Sequence, residues 1–269
     1  RRHKVMKIAV IGCGNMGSAI IGGLIKAGTV SSEEITASDK SGEMRRKAAE
    51  AFGIKVTESN PECVKGAELI ILAVKPNVFR AAAEDLAGSI KKDQIVLSIA
   101  AGKKLADMAD FMGKDKKLVR AMPNTPALVG EGITAFCPNE NVTEEDKSKI
   151  FTVLSAFSEA EEVPEDLMSV VTSVSGSSPA YVFMFIEAMA DAAVADGMPR
   201  KQAYHFAAQT VLGSAKMVLE TGRHPGELKD MVCSPGGTTI EGVAALEKGG
   251  FRTAVIEAVR SCTRKAKNI

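Results

Sequence analysis

A chain of 269 residues, 45 % of them hydrophobic, has ample material to bury one large core or two ordinary ones without a disulfide or metal staple. Its 34 basic and 33 acidic side chains nearly cancel, to a formal charge of +1, so it lacks the basic excess that a nucleic-acid partner requires. Five scattered cysteines (Cys13, Cys63, Cys137, Cys233, Cys262), odd in number and with no Cys-x-x-Cys pair, argue against a disulfide framework or zinc and for reduced thiols in a cytoplasmic protein.

Arg1 to Val5 is a basic stub followed by too short an apolar run to be a signal peptide, and it reads as a remnant ahead of the fold. No run of about 18 apolar residues follows anywhere, so no membrane span is expected. The fold begins at Met6. Lys7–Ile11 has the character of a buried parallel strand and runs into Gly12-Cys13-Gly14-Asn15-Met16-Gly17, which opens the helix Asn15–Ala27. In this Gly-x-Gly-x-x-Gly context Gly12 serves the tight turn, Gly14 lets backbone approach a pyrophosphate, and Gly17 lets helix and strand pack closely. The helix N-terminus supplies N–H groups to the anion. Asp39 ends the next strand, Ile35–Ser38, about 20 residues on, where a dinucleotide site places its ribose-binding carboxylate.

Further strands are expected at Lys55–Val56, Leu69–Val74, Ile95–Ile99, Leu118–Met122 and Ile133–Phe136, with helices at Gly42–Phe52, Val78–Leu86 and Leu105–Met112. This alternation predicts an α/β, Rossmann-type, doubly wound parallel sheet over residues 6–163. Two strand ends in it stand out. Ala73-Val74-Lys75-Pro76 either lines the cofactor or is a strand end with a surface lysine. Met122-Pro123-Asn124-Thr125-Pro126 is either a rigid turn or a pre-shaped site.

From residue 164 to 269 strand signals vanish and an all-α second domain is expected. Its helix Ser178–Ala190 is apolar almost all round, more than about 105 residues can cover, so a partner subunit is expected to pack on it. Ser234-Pro235-Gly236-Gly237-Thr238-Thr239 opens a later helix, either as an anion-binding junction or as a plain helix cap. No histidine among His3, His205 and His224 has an obvious partner, so metal catalysis, a Ser-His-Asp relay and a histidine proton shuttle all lack parts. Hydride transfer to an already electrophilic C=N bond needs no such help from protein.

Together with Ser175-Gly176-Ser177-Ser178-Pro179-Ala180-Tyr181 and Leu228-Lys229-Asp230, these motifs resemble, in order along the chain, those of the pyrroline-5-carboxylate reductases. The resemblance implies reduction of 1-pyrroline-5-carboxylate to L-proline with NADPH or NADH. It implies that Ile11, Gly12, Cys13, Gly14, Asn15 and Met16, backed by Gly17, line the pyrophosphate. Asp39 and Ser41 then face the adenosine ribose and Asn60 lies near the adenine. Ala73, Val74, Lys75 and Pro76, with Ile99, Ala100 and Ala101, line the rest of the cofactor, and Met231 completes that wall. The substrate carboxylate lies on Ser234, Gly236, Gly237, Thr238 and Thr239, the Thr239 hydroxyl bonding the ring nitrogen as the catalytic contact, with Glu165 close to substrate. The helical domain makes a homodimer, a larger oligomer of dimers remaining open. Asp39-Lys40-Ser41 puts a carboxylate where a 2′-phosphate would go, yet Lys40, Ser41 and Arg45 offer that phosphate partners, so NADH against NADPH is left open.

Two other readings differ in specific residues. A β-hydroxyacid-type dehydrogenase resembles its relatives in a lysine on the first long helix of the second domain, and Glu165 to Pro199 contains none. A non-catalytic dinucleotide sensor would have no use for Ser234 to Thr239.

Overall fold

Ile8–Ile11 (β1) is buried along its whole length, and in the computed structural model, which describes residues 6–268, it is an interior strand of an eight-stranded sheet. The stub Arg1 to Val5 falls outside the described residues. After β1 come α1 (Asn15–Lys26), β2 (Ile35–Ser38), α2 (Gly42–Phe52), β3 (Lys55–Thr57) and the short α3 (Asn60–Cys63). Then follow β4 (Leu69–Leu72), α4 (Phe79–Leu86), β5 (Ile95–Ser98), α5 (Leu105–Met112), β6 (Lys117–Met122), β7 (Gly132–Pro138), α6 (Glu144–Leu154) and β8 (Ser158–Glu162). The strand order is β3-β2-β1-β4-β5-β6-β7-β8.

Successive residues of the central strands feed opposite faces, as the two-residue period of a strand demands. Ile8, Val10, Leu69 and Ile71 join one core with Ile20, Ile21 and Leu24 of α1 and Ile150 and Val153 of α6. Ala9, Ile11, Ile70 and Leu72 join another with Phe79 and Leu86 of α4 and Met108 and Met112 of α5. Burial on both faces is why β1, β4 and β5 read as continuous apolar runs. This is the doubly wound α/β sheet expected, with three differences. β7 runs antiparallel to β6, because the stretch between them is shorter than the dozen or so residues a parallel crossover takes. β8, Ser-Glu-Ala-Glu-Glu, escapes apolar patterning because it is an edge strand whose later residues face solvent. Leu69–Val74 stops as a strand at Leu72, so Ala73 and Val74 belong to the loop.

Beyond β8 the chain is helical: a 3₁₀ turn at Glu165–Leu167, α7 (Met168–Val171), a π-helical stretch at Thr172–Ser177, α8 (Ser178–Ala195), α9 (Arg200–Thr221), α10 (Pro225–Val232), α11 (Thr238–Lys248) and α12 (Phe251–Ala266). By contacts, the described residues up to Gly176, with those from Thr263 onward, make one compact unit, and Ser177–Cys262 makes a second. Met168 is fully buried against Ala135 and Cys137 of β7, which ties the first helical residues to the sheet unit.

In the second unit α8 and α9 pack through small residues, with Ala190, Ala203 and Ala207 buried. Larger apolar side chains stay in the open, Phe183 at 61 % and Met184 at 68 % exposure. Among the described residues Glu165–Ala195 is long and apolar enough to cross a membrane by length and composition alone, with a mean hydropathy of 1.3 in its most apolar window, a test that the core helix of a globular protein also passes. Alanine, valine, methionine and phenylalanine score alike whether a helix meets lipid or another protein surface.

Candidate active site

The turn after β1 is built by sterics. Gly12 has φ +106°, a conformation L side chains rarely adopt, and a Cβ there would lie 2.7 Å from the Ala73 carbonyl oxygen. A Cβ on Gly17 would lie 2.0 Å from the Gly12 carbonyl oxygen, so α1 can approach β1 only through glycine. Gly14, by contrast, has nothing within 4 Å of its Cβ position. It is the N-cap of α1, makes no side-chain cap, and no acidic residue follows in the first turn. The α1 amides and the positive end of the helix dipole are therefore left for an anion.

That helix end opens into a cleft of about 1110 Å³. Ile11, Gly12, Gly14, Asn15 and Met16 line it from the first turn, Asp39 from the end of β2 and Asn60 from the start of α3. Ala73, Val74, Lys75 and Pro76 line it from the end of β4, and Ile99, Ala100 and Ala101 from the end of β5. The parallel strands deliver these loops to one side of the sheet because each ends at the same edge of its βα unit. Volume, anion-binding helix end and open backbone at Gly14 fit a dinucleotide.

Three residues expected at the cofactor stand behind the lining. Cys13 is buried, and its N–H donates to Asp39 Oδ2 at 2.9 Å. Gly17 is packed against Gly12, and Ser41 caps α2 by accepting the Met44 N–H while donating its own N–H to Asp39 Oδ1 at 2.8 Å. Asp39 is thus a clamp between two loops, one backbone bond to each oxygen. Arg45 is also engaged: its Nη1 donates to the carbonyls of Asp39 at 2.6 Å and Lys40 at 3.1 Å, and its Nη2 meets Glu58 at 3.4 Å. Burial, with the Asp39 charge adding, pushes the Cys13 thiol up to about 11, and burial pushes Cys63 up to about 12. Both stay protonated at neutral pH and are packing residues rather than nucleophiles.

Sequence reasoning overlooked Ser38, Met44, Val78 at the N-cap of α4, and a stripe of α4 itself, Ala81, Ala82 and Asp85, all on the cleft wall. The signal was available: those α4 positions recur at helical spacing just after the Lys75-Pro76 loop.

Glu165 sits elsewhere in the sheet unit. Its Oε1 accepts the Leu105 N–H at the start of α5 at 2.8 Å and Arg120 Nη1 from β6 at 3.2 Å. Arg120 is largely buried, so the carboxylate is held by one cation and one helix end together.

Met231, Ser234, Gly236, Gly237, Thr238 and Thr239 lie in the helical unit. Gly236 has φ +67°, and Gly237 is the N-cap of α11 with no side chain capping it. A Cβ on Gly237 would lie 2.4 Å from Ser234 Oγ, so a side chain there would have to turn that hydroxyl away. The result is a second uncapped helix N-terminus, flanked by the hydroxyls of Ser234, Thr238 and Thr239. His224 has a local task, its Nδ1 accepting the Gly226 N–H at 3.0 Å to cap α10.

Residues 165–269 match the family model for pyrroline-5-carboxylate reductase dimerisation, and residues 7–102 match that for NADP oxidoreductase, coenzyme F420-dependent. A pyrroline-5-carboxylate reductase of Escherichia coli (strain K12) is 54 % identical over 263 residues, 98 % of either chain. Among solved structures, the pyrroline-5-carboxylate reductase of Coxiella burnetii superposes with a TM-score of 0.92 at 34 % identity, covering 98 % of both chains. The Plasmodium falciparum enzyme, with NADP bound, superposes with a TM-score of 0.89 at 32 % identity over 98 % of this chain and 97 % of that one. A glycine-shaped dinucleotide cleft, a helical half matched to a dimerisation model and likeness along nearly the whole length converge on one conclusion: the chain belongs to the pyrroline-5-carboxylate reductase family.

Proposed function

We propose that this chain transfers hydride from NADPH or NADH to the C=N bond of 1-pyrroline-5-carboxylate, giving L-proline in the last step of proline biosynthesis. The observation that carries it is the 54 % identity to a pyrroline-5-carboxylate reductase over 263 residues, a span that takes in both the dinucleotide half and the helical half. Residue roles are carried over from the family resemblance, and the chemistry of each residue suits its role. The α1 N-terminus and the backbone of Gly12 to Met16 take the pyrophosphate, Asp39 turns its remaining lone pairs to the ribose, and the strand-end loops Ala73–Pro76 and Ile99–Ala101 cover the rest of the cofactor. When bound, the nicotinamide supplies the hydride. Protein residues only orient the ring and bind its charge. The α11 N-terminus, with Ser234, Gly236, Gly237 and Thr238, is suited to the substrate carboxylate, Thr239 to hydrogen-bonding the ring nitrogen, and Glu165 to a fixed acceptor near substrate. Met231 is assigned to the cofactor.

We place the chain in the cytoplasm as a homodimer built on the helical half. The uncovered apolar faces of α8 and α12 support that assembly. The test is direct: purified protein mixed with NADPH or NADH should lose cofactor absorbance on addition of 1-pyrroline-5-carboxylate and form proline in equal amount. Cofactor binding without turnover would overturn the reductase reading.

A further inference from the structure

One wall of the cleft carries a hydrogen-bond chain that cofactor orientation alone does not require. Asn60 Nδ2 donates to Asp85 Oδ2 at 3.0 Å, and Asn60 Oδ1 accepts from Ser38 Oγ at 2.7 Å. The direction of every bond is determined, because an ionised carboxylate only accepts. The Asn60 amide must turn its NH₂ to Asp85, which leaves its oxygen to Ser38 and makes the Ser38 hydroxyl the donor. Ser38 is fully buried and Asn60 is 7 % exposed, so this amide cannot flip at low cost.

All three residues line the cleft. They stand at one end of it, with Lys40 and Met44 following β2 and Ala81 and Ala82 on α4, while Ile99–Ala101, Met122 and Pro123 come from the far side of the sheet order. With the pyrophosphate at Gly14 and the adenosine ribose at Asp39, this end receives the base. Met44, Ala81 and Ala82 give it apolar walls. Asn60 keeps one amide N–H to donate, and Asp85 Oδ1 carries no hydrogen bond among the described residues.

We propose that Asp85, aligned through Asn60, reads the base of the dinucleotide: Asp85 Oδ1 accepts from the exocyclic amino group of adenine while the remaining Asn60 N–H donates to the ring nitrogen beside it. A donor next to an acceptor is what adenine presents, and an amide reads that edge in the same way in nucleic acids. Hypoxanthine replaces the amino group with a carbonyl oxygen. Two acceptors then face each other, and a site built for a donor rejects the analogue. The inference rests on the dinucleotide reading above and adds a base-specificity residue to it.

Dissociation constants for NADH and for its hypoxanthine analogue, measured by fluorescence titration of the full chain without imine, test it. The unmodified protein should bind NADH about tenfold more tightly or better. Asp85→Asn, whose amide can donate to the hypoxanthine carbonyl while its oxygen still accepts from Asn60, should bind the analogue more tightly than the unmodified protein does and bring the ratio near or below one. Asp85→Ala should lose discrimination without gaining affinity for the analogue. Equal binding of the two dinucleotides by the unmodified protein, or an unchanged ratio in Asp85→Asn, overturns the proposal and leaves the dinucleotide reading intact. Binding of neither overturns both.

Discussion

The sheet unit and the helical unit differ in how much of their own chemistry one copy of the chain completes. In the sheet unit Asp39, Asn60 and Glu165 are each held by partners from two separate elements, and two apolar cores close over both faces of the sheet. In the helical unit the buried apolar residues are Ala190, Ala203, Ala207 and Leu228, while Phe183, Met184 and Leu219 stand 61 %, 68 % and 84 % exposed. At about 25 cal/mol per Å² of apolar surface, leaving such residues in water forfeits several kcal/mol. The dinucleotide cleft is therefore organised by folding one chain, whereas the helical half leaves large apolar side chains uncovered in one copy, the surface that the proposed homodimer would bury.

The most disruptive way to test that contrast is to put charge on the uncovered face. Met184→Glu or Phe185→Glu, whichever meets the partner, should convert a dimer to monomers or insoluble protein, because an unpaired buried carboxylate costs several kcal/mol. Light scattering reads the result, and a folded, active monomer of the unmodified chain would break the comparison outright.

A smaller effect is expected within the catalytic step. Thr239→Val keeps shape and removes the hydroxyl, so kcat/KM for the imine should fall ten- to a hundred-fold, about 1.5–3 kcal/mol, while the dissociation constant for NADH holds steady. Steady-state kinetics with both substrates separates the two, and wild-type kinetics would remove Thr239 from the site.

Smaller again is the change at Asp39. Asp39→Ser should move the ratio of kcat/KM toward NADPH by about tenfold, near 1.4 kcal/mol, as a charge opposing the 2′-phosphate disappears. Because Asp39 also clamps the Cys13 and Ser41 amides, affinity for both cofactors should weaken together. An unmoved ratio would show that the carboxylate serves the loops and not the ribose.

The mildest test concerns the stability of the sheet unit alone. Burial works to raise the pKa of Asp146, but the Lys117 ammonium at 2.7 Å and the Thr143 N–H and hydroxyl at the start of α6 outweigh it and hold the carboxyl below its usual range. A depressed native pKa stabilises the fold fully above the ordinary carboxylate range and loses that contribution as pH falls through the native value. Asp146→Asn should accordingly destabilise by about 1 kcal/mol at neutral pH, and the gap should close in acid. Denaturant melts at several pH values measure it, and a gap independent of pH would refute the ionic account.

Much of this was legible residue by residue. The run from Ile8 to Gly17 specifies strand, turn and helix because Gly12 and Gly17 answer steric demands arising within a few residues or from the next strand over. β2, α2 and α5 were found at their observed limits, since apolar period and caps are local signals. β8 was not, because an edge strand exposed to water carries no apolar alternation.

What the sequence by itself determined, then, is the order of the strands from β1 to β7 and of most helices between them, the phosphate-binding turn and the family. Only the tertiary structure decided that β7 turns antiparallel, that Asn60 meets Asp85 across 25 residues, and that Glu165 joins Arg120 and Leu105 from two other elements. The first group depends on propensities and close sterics along the chain. The second depends on hydrogen bonds between side chains whose partners become neighbours only when the sheet has folded, and no periodicity in the sequence encodes such a meeting.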